Sequence, residues 1–122
     1  MPYVGHCNCD SIRITLAEQP ANSVVCHCLN CRKAGGVFSV NYLTSEEETT
    51  VEDPKKTLTA YDDSNTAEGH TIQRYFCSTC GSPVLTKSPK IPGKMFLKAT
   101  LFDTIAPCGM EVFEATRVPL FK

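Results

Sequence analysis

A mainly β domain stapled by metal is what this sequence predicts, and three observations carry the expectation. Apolar residues alternate with polar ones in short runs, as half-buried strands require. No segment holds a 3.6-residue period long enough for a long helix. Seven of the eight cysteines fall into three tight groups, Cys7 with Cys9, Cys26 with Cys28 and Cys31, and Cys77 with Cys80. The runs are short and divided by turn residues, so the strands should be antiparallel with long connections, relieved only by short helical turns. At 122 residues the chain has the length of one domain, read as 1–122.

Gly5-His6-Cys7-Asn8-Cys9 opens the chain with a C-x-C pair. In Ser11 to Leu16 the residues Ile12, Ile14 and Leu16 share one face, which reads as a strand. Gln19 to Asn22 is a turn. Ser23 to Cys28 is the second strand, and Leu29 to Ala34 a short helical turn stopped by Gly35-Gly36. Val37 to Leu43 is apolar and aromatic enough for a third strand. The acidic stretch Glu46 to Pro54 reads as a solvated hairpin or loop. Thr57 to Tyr61 is strand-like, and Asp62 to Gly69 is polar and turn-rich. Thr71 to Phe76 runs as a strand into Cys77-Ser78-Thr79-Cys80-Gly81, the layout of a zinc knuckle, with Gly81 freeing the backbone to turn amides toward sulfur. Pro83 to Leu85 and Met95 to Ala99 are further strands. Thr100 to Pro107 is irregular, and Val112 to Val118 reads as the last strand.

Charge and composition exclude several classes. The formal net charge is −1 with thiols counted as neutral. A four-thiolate zinc adds about −2 and a three-thiolate zinc about −1, so a loaded chain would sit near −4. With no basic tract to compensate, a nucleic-acid partner is not expected. No apolar run is long enough for a membrane span. The amino terminus lacks a basic and apolar leader pattern, so the cytoplasm is the expected compartment. Thiols stay reduced there, and clustered cysteines read as metal ligands before disulfides. No apolar stripe marks a subunit interface.

Spacing divides the cysteines into two centres. Cys7, Cys9, Cys77 and Cys80 supply four thiolates from two distant knuckles, a closed set that would staple the amino-terminal segment to the middle of the chain. Along Val25-Cys26-His27-Cys28-Leu29-Asn30-Cys31, strand alternation puts Cys26 and Cys28 on one face, and a tight turn can bring Cys31 to them. Three sulfurs and an open corner describe a reactive zinc. The alternative is a closed Cys3His site completed by His27, although alternation turns that ring to the other face. Cys108 stands alone and reads as a packed small residue. His6 and His70 read as solvated, and Arg74 as a salt-bridged or exposed strand residue.

The segments Cys-His-Cys-Leu-Asn-Cys-Arg-Lys-Ala-Gly-Gly (26–36) and Tyr-Phe-Cys-Ser-Thr-Cys-Gly-Ser (75–82), with the first C-x-C pair, closely resemble the glutathione-dependent formaldehyde-activating enzyme family, which includes the centromere protein V-like domains. The resemblance spans Gly5 to about Phe113 and implies an Mss4-like fold. It implies a structural zinc on Cys7, Cys9, Cys77 and Cys80 and a catalytic zinc on Cys26, Cys28 and Cys31. Asp10 departs from it, since the family usually has glycine there, and Leu101-Phe102-Asp103 matches the family's Gly-x-Leu-Asp-Asp element only loosely.

The chemistry so implied is that of a carbon–sulfur lyase joining glutathione, as substrate or co-substrate, to formaldehyde as S-hydroxymethylglutathione. A small thiol and an aldehyde are the expected partners. The open corner could bind the thiol sulfur, the preferred role, or polarise the aldehyde oxygen. Arg32 and Lys33 could meet a carboxylate of glutathione, or offset the anionic cluster. Gly35 and Gly36 could let substrate approach the backbone, or simply end the helical turn. No residue is fixed by spacing as a general base. The competing expectation is a non-catalytic, zinc-stabilised protein-binding module on the same scaffold.

Overall fold

Short strands dominate the computed structural model, which describes residues 1–66 and 69–120. In chain order they are β1 (Tyr3–His6), β2 (Arg13–Leu16), β3 (Ser23–Cys26), β4 (Ser39–Ser45), β5 (Thr50–Glu52), β6 (Leu58–Asp63), β7 (Ile72–Cys77), β8 (Pro83–Lys87), β9 (Lys94–Lys98) and β10 (Cys108–Val112). One short helix, α1 (Leu29–Gly35), follows β3, and single 3₁₀ turns occupy Ala99–Leu101 and Glu114–Thr116. The strands form a three-stranded sheet, β1-β2-β5, and a seven-stranded sheet, β10-β3-β4-β9-β8-β7-β6.

The mainly β expectation holds, with four differences. β1 was not foreseen; it pairs antiparallel with β2, Gly5 opposite Ile14. The acidic stretch contains a strand, because β5 completes the small sheet beside β2. Asp62 and Asp63 belong to β6 rather than to a turn. The last strand lies at Cys108–Val112, and it runs parallel to β3, Val112 opposite Cys26. The chain crosses from β9 to the far edge of the sheet through residues 99–107, which sets that direction. Residues 113–118, expected to be strand, instead turn at Phe113, whose φ of 55° ends the ladder.

The core lies where the apolar residues of both sheets meet. Ile12, Ile14 and Leu16 join Tyr42, Val84, Leu85 and Leu97, all buried. Tyr3 stacks on Phe102 with ring centroids 4.1 Å apart. Its hydroxyl lies 2.8 Å from that of Tyr42 and donates to the Thr104 carbonyl. These contacts pin the crossover segment to the core.

Register sorts the seven-stranded sheet into two unlike faces, since cross-strand partners and alternate residues share a side. Val25, Val40, Tyr42, Leu97, Leu85 and Tyr75 fall on one, with the core. Cys26, Ser39, Asn41, Lys98, Thr86 and Arg74 fall on the other, and Asp63 joins them from β6. Ser39, Asn41, Lys98, Thr86 and Asp63 are nevertheless buried. Helix α1 covers part of this polar face, which makes room for a polar site inside the fold.

Candidate metal centre

The four outer thiols converge. Those of Cys7, Cys9, Cys77 and Cys80 lie within 4.8 Å of one another, a group that could hold a metal ion. Two tight turns deliver them. Asp10 N–H donates to the Cys7 carbonyl at 2.9 Å, with Asp10 itself left-handed at φ 65°. Gly81 N–H donates to the Cys77 carbonyl at 2.7 Å, with Gly81 at φ 78°, a conformation that glycine adopts without strain. Buried Ser11 sits against the cluster, its hydroxyl 3.2 Å from Cys9 Sγ and 3.3 Å from Cys77 Sγ. Burial raises the Cys77 thiol, but hydrogen bonds from Ser11 and Thr57 outweigh it and hold the group below its ordinary value. The Ser82 hydroxyl lowers Cys80 in the same way.

The three central thiols converge separately. Cys26 ends β3, Cys28 caps α1, and Cys31 lies in its first turn, so the strand-to-helix junction gathers them. Their sulfurs also lie within 4.8 Å of one another. Cys31 N–H donates to Cys28 Sγ at 3.2 Å, and Cys31 and Cys26 sulfurs are 2.9 Å apart. The Cys26 contact, joined by Cys28, Ser39 and Arg74, holds Cys31 below its ordinary value. Cys26 is raised by the shared hydrogen bond and by burial. Cys28 and Cys31 are half-buried, leaving the trio open to solvent on that side.

Two cations of the polar sheet face attend this trio. Arg74 Nε donates to Asp63 Oδ2 at 2.7 Å, and Asp63 also accepts from Asn30 Nδ2 at 3.2 Å. Burial pulls the Asp63 carboxyl up, yet Arg74 and Asn30 bring it below its ordinary value. Lys98 is buried, which lowers its ammonium, while the thiols of Cys31, Cys26 and Cys28 act in the other direction. Gly35 packs α1 closely here: a Cβ on it would lie 2.9 Å from Ser39 Cβ and 3.5 Å from Lys98 Nζ.

The sequence singled out neither Lys98 nor Asp63, nor the Ser11 and Thr57 hydroxyls. The signal available was a lysine in the apolar strand Met95–Ala99, and it reads equally well as a solvent-facing residue. Arg32, named for its place after the trio, donates to the Thr116 carbonyl at 3.4 Å, and Lys33 is exposed. Gly36 caps α1 by donating to the Arg32 carbonyl at 2.9 Å. His6 and His70 are exposed, as expected. Cys108 is exposed rather than packed, because β10 is an edge strand.

His27 faces away from the sulfurs. Its Nε2 lies 2.8 Å from Glu111 Oε1 of β10, and its backbone N–H donates to the Val112 carbonyl at 3.0 Å. With Val25, Phe38, Glu111 and Arg117 it lines a cavity of about 380 Å³. Alternation along β3 sets that cavity on the opposite side from the thiols. Among the described residues, no histidine or carboxylate joins the central trio.

Comparison with known proteins gives a consistent picture. A family profile described as glutathione-dependent formaldehyde-activating enzyme matches residues 2–116. No curated protein matches. Among solved structures, the crystal structure of a Rhodobacter sphaeroides protein is similar, with 19% identity and a TM-score of 0.65. The similarity covers 86% of this chain and 98% of that one, and it shows a shared fold. No helix among the described residues is long and apolar enough to cross a membrane.

Proposed function

Because the chain belongs to the glutathione-dependent formaldehyde-activating enzyme family, we propose that it is a zinc-dependent carbon–sulfur lyase. It would join glutathione, or another small thiol, to an aldehyde at the three-thiol cluster, in the cytoplasm and as a single domain spanning 1–122. The observation that carries this reading is the trio itself: three half-buried or buried sulfurs with no fourth described side chain to close the set.

The donor chemistry fits zinc at both groups. A tetrahedral zinc with bonds of about 2.3 Å needs sulfurs about 3.8 Å apart. In the outer group Cys7 and Cys9, and Cys9 and Cys77, are each 3.7 Å apart. Four ligands make that centre closed and structural. In the trio, Cys26 and Cys31 stand closer, at 2.9 Å, and would part by about 0.9 Å to reach that spacing. They are still well beyond the ~2.05 Å of a disulfide, so both remain free thiols able to ligate.

When bound at the trio, zinc would hold a visiting sulfur as the thiolate that attacks a carbonyl. The chain supplies the rest. The α1 cap fixes Cys28 and Cys31 relative to each other. Ser39 contributes a hydroxyl to Cys31, and Asn41 Nδ2 donates to Ser39 Oγ at 3.0 Å, orienting that hydroxyl. Arg74 is balanced by Asp63, so the pair adds dipole without net charge. Three thiolates on a divalent ion carry a net −1, on a sheet face that also carries Lys98.

The test is zinc content and turnover together. The protein as isolated should hold two zinc ions per chain and condense formaldehyde with glutathione. Cys28→Ser should abolish turnover and release one ion while the fold persists. Two ions with no turnover on any thiol–aldehyde pair would favour a protein-binding module instead.

A further inference from the structure

Lys98 is the one buried cation of the site with no committed partner. Its residue is 4% exposed. Its ammonium forms no salt bridge or hydrogen bond with the described residues and feels only the charges of the trio and of Arg74. No buried side-chain nitrogen or oxygen among the described residues lacks a hydrogen-bond partner, so Nζ keeps an edge open to solvent, where an anion can meet it. Arg74, by contrast, is satisfied by Asp63 at 2.7 Å. The ammonium sits against α1: a Cβ on Gly35 would lie 3.5 Å from Nζ. Register puts Lys98 on the face of the sheet that carries Cys26, and the charges of all three thiols act on its ammonium, so a small ligand held at the trio comes next to it.

We infer that Lys98 holds the oxygen of the thiol–aldehyde adduct, hydrogen-bonding the oxyanion that forms as carbon and sulfur join. This deepens the reading above and depends on it. The thiolate sulfur attacks the carbonyl carbon, the sulfur–carbon bond forms, and the carbonyl π pair moves onto oxygen. That alkoxide then takes a proton from water, replacing the one the thiol gave up earlier. Lys98 keeps its protons throughout, and no electrons leave or enter. In the reverse direction the same contact holds the oxygen as the alkoxide collapses and the sulfur departs. A preformed donor aimed at developing charge is the arrangement that lowers such a barrier most.

A lysine that merely offset the thiolates would treat every thiol ligand alike. A lysine that holds oxygen would discriminate, and this separates the two roles. Zinc-loaded protein is titrated calorimetrically with thioglycolate, whose carboxylate stands in for the adduct oxygen, and with ethanethiol, which has none. The wild type should bind thioglycolate at least about tenfold more tightly, the gain expected of one charge-assisted hydrogen bond. Lys98→Met should erase that gap while ethanethiol affinity and zinc content stay unchanged, and Lys98→Arg should keep part of it. In turnover, kcat should fall by about 10²-fold in Lys98→Met with the KM for glutathione unchanged. Lys98→Gln serves where the methionine variant does not fold. The inference is overturned if the gap is absent in the wild type, survives in both Lys98→Met and Lys98→Gln, or if removing Lys98 weakens both thiols equally. If neither thiol binds the zinc-loaded wild type, the lyase reading itself fails.

Discussion

Arg74 and Asp63 meet at 2.7 Å on neighbouring strands, their side chains only 13% and 7% exposed, and the pair borders Cys31 on the polar sheet face. An ion pair this far out of water is worth most when both members are present. Asp63→Asn leaves Arg74 buried and unbalanced, and should destabilise the fold by about 3 kcal/mol. The folded Asp63 carboxyl lies below its ordinary value, so its contribution is present above about pH 4 and is lost as pH falls through the lowered value. Urea midpoints of the two proteins should thus differ clearly at pH 7 and draw together only as the solution is acidified through the lowered value.

The two thiol clusters should respond differently to the same chemical change. Cys77 is fully buried in the core and belongs to the four-thiol group that joins the β1–β2 turn to the end of β7. Cys77→Ser removes one of the four thiols proposed to hold zinc, and a structural zinc contributes on the order of 10 kcal/mol to folding. Circular dichroism should show an unfolded chain. Cys28→Ser, at the helix cap, should leave the β spectrum intact. A folded Cys77→Ser protein with full zinc content would contradict the structural role.

The clustering of the cysteines, the short strands and α1 with its glycine stop were legible because each depends on local spacing. The polar sheet face was not. Cys26, Ser39, Asn41, Lys98 and Arg74 come from four strands, and only their register reveals that they share a side. Each alone resembles the solvent side of an amphipathic strand, so alternation could not tell a solvated face from one covered by a helix. The parallel placement of β10 was hidden for the same reason, since it follows from a crossover and not from composition.

Asp10 shows local chemistry and family pattern meeting at one residue. Asp10, where the resemblance implies glycine, has φ 65°, so the backbone there favours a residue without Cβ. Asp10 offsets part of that strain through Arg13 Nη2 at 3.0 Å, an exposed pair worth little. Asp10→Gly should therefore raise stability by about 0.5 kcal/mol, the left-handed strain relieved being partly cancelled by the entropy of glycine. Thermal unfolding at fixed zinc would record this as a small upward shift in Tm.

His27 decides between an open and a closed central site. Its ring is tied to Glu111 at 2.8 Å on the reverse side of β3. His27→Gln should retain two zinc ions per chain and full thiol binding while losing about 1 kcal/mol of stability from the broken buried hydrogen bond. Loss of one zinc ion would mean that the imidazole swings round to close the trio.

Gly35 offers the most local probe of how α1 sits over the sheet. Alanine is normally the better helix residue, by up to about 1 kcal/mol. At this position its Cβ would stand 2.9 Å from Ser39 Cβ, too close to be tolerated without movement. Overpacking of this kind typically costs about 1–3 kcal/mol, so Gly35→Ala should be net destabilising, by about 1 kcal/mol. The relief available is to lift α1 away from β4, and α1 carries Cys31. Displacing one thiol of the trio by even part of an ångström should reduce kcat/KM for the thiol–aldehyde reaction by about tenfold or more. Zinc at the four-thiol group, which draws no thiol from α1, should be retained. Unchanged turnover in Gly35→Ala would show that α1 can shift without disturbing the trio.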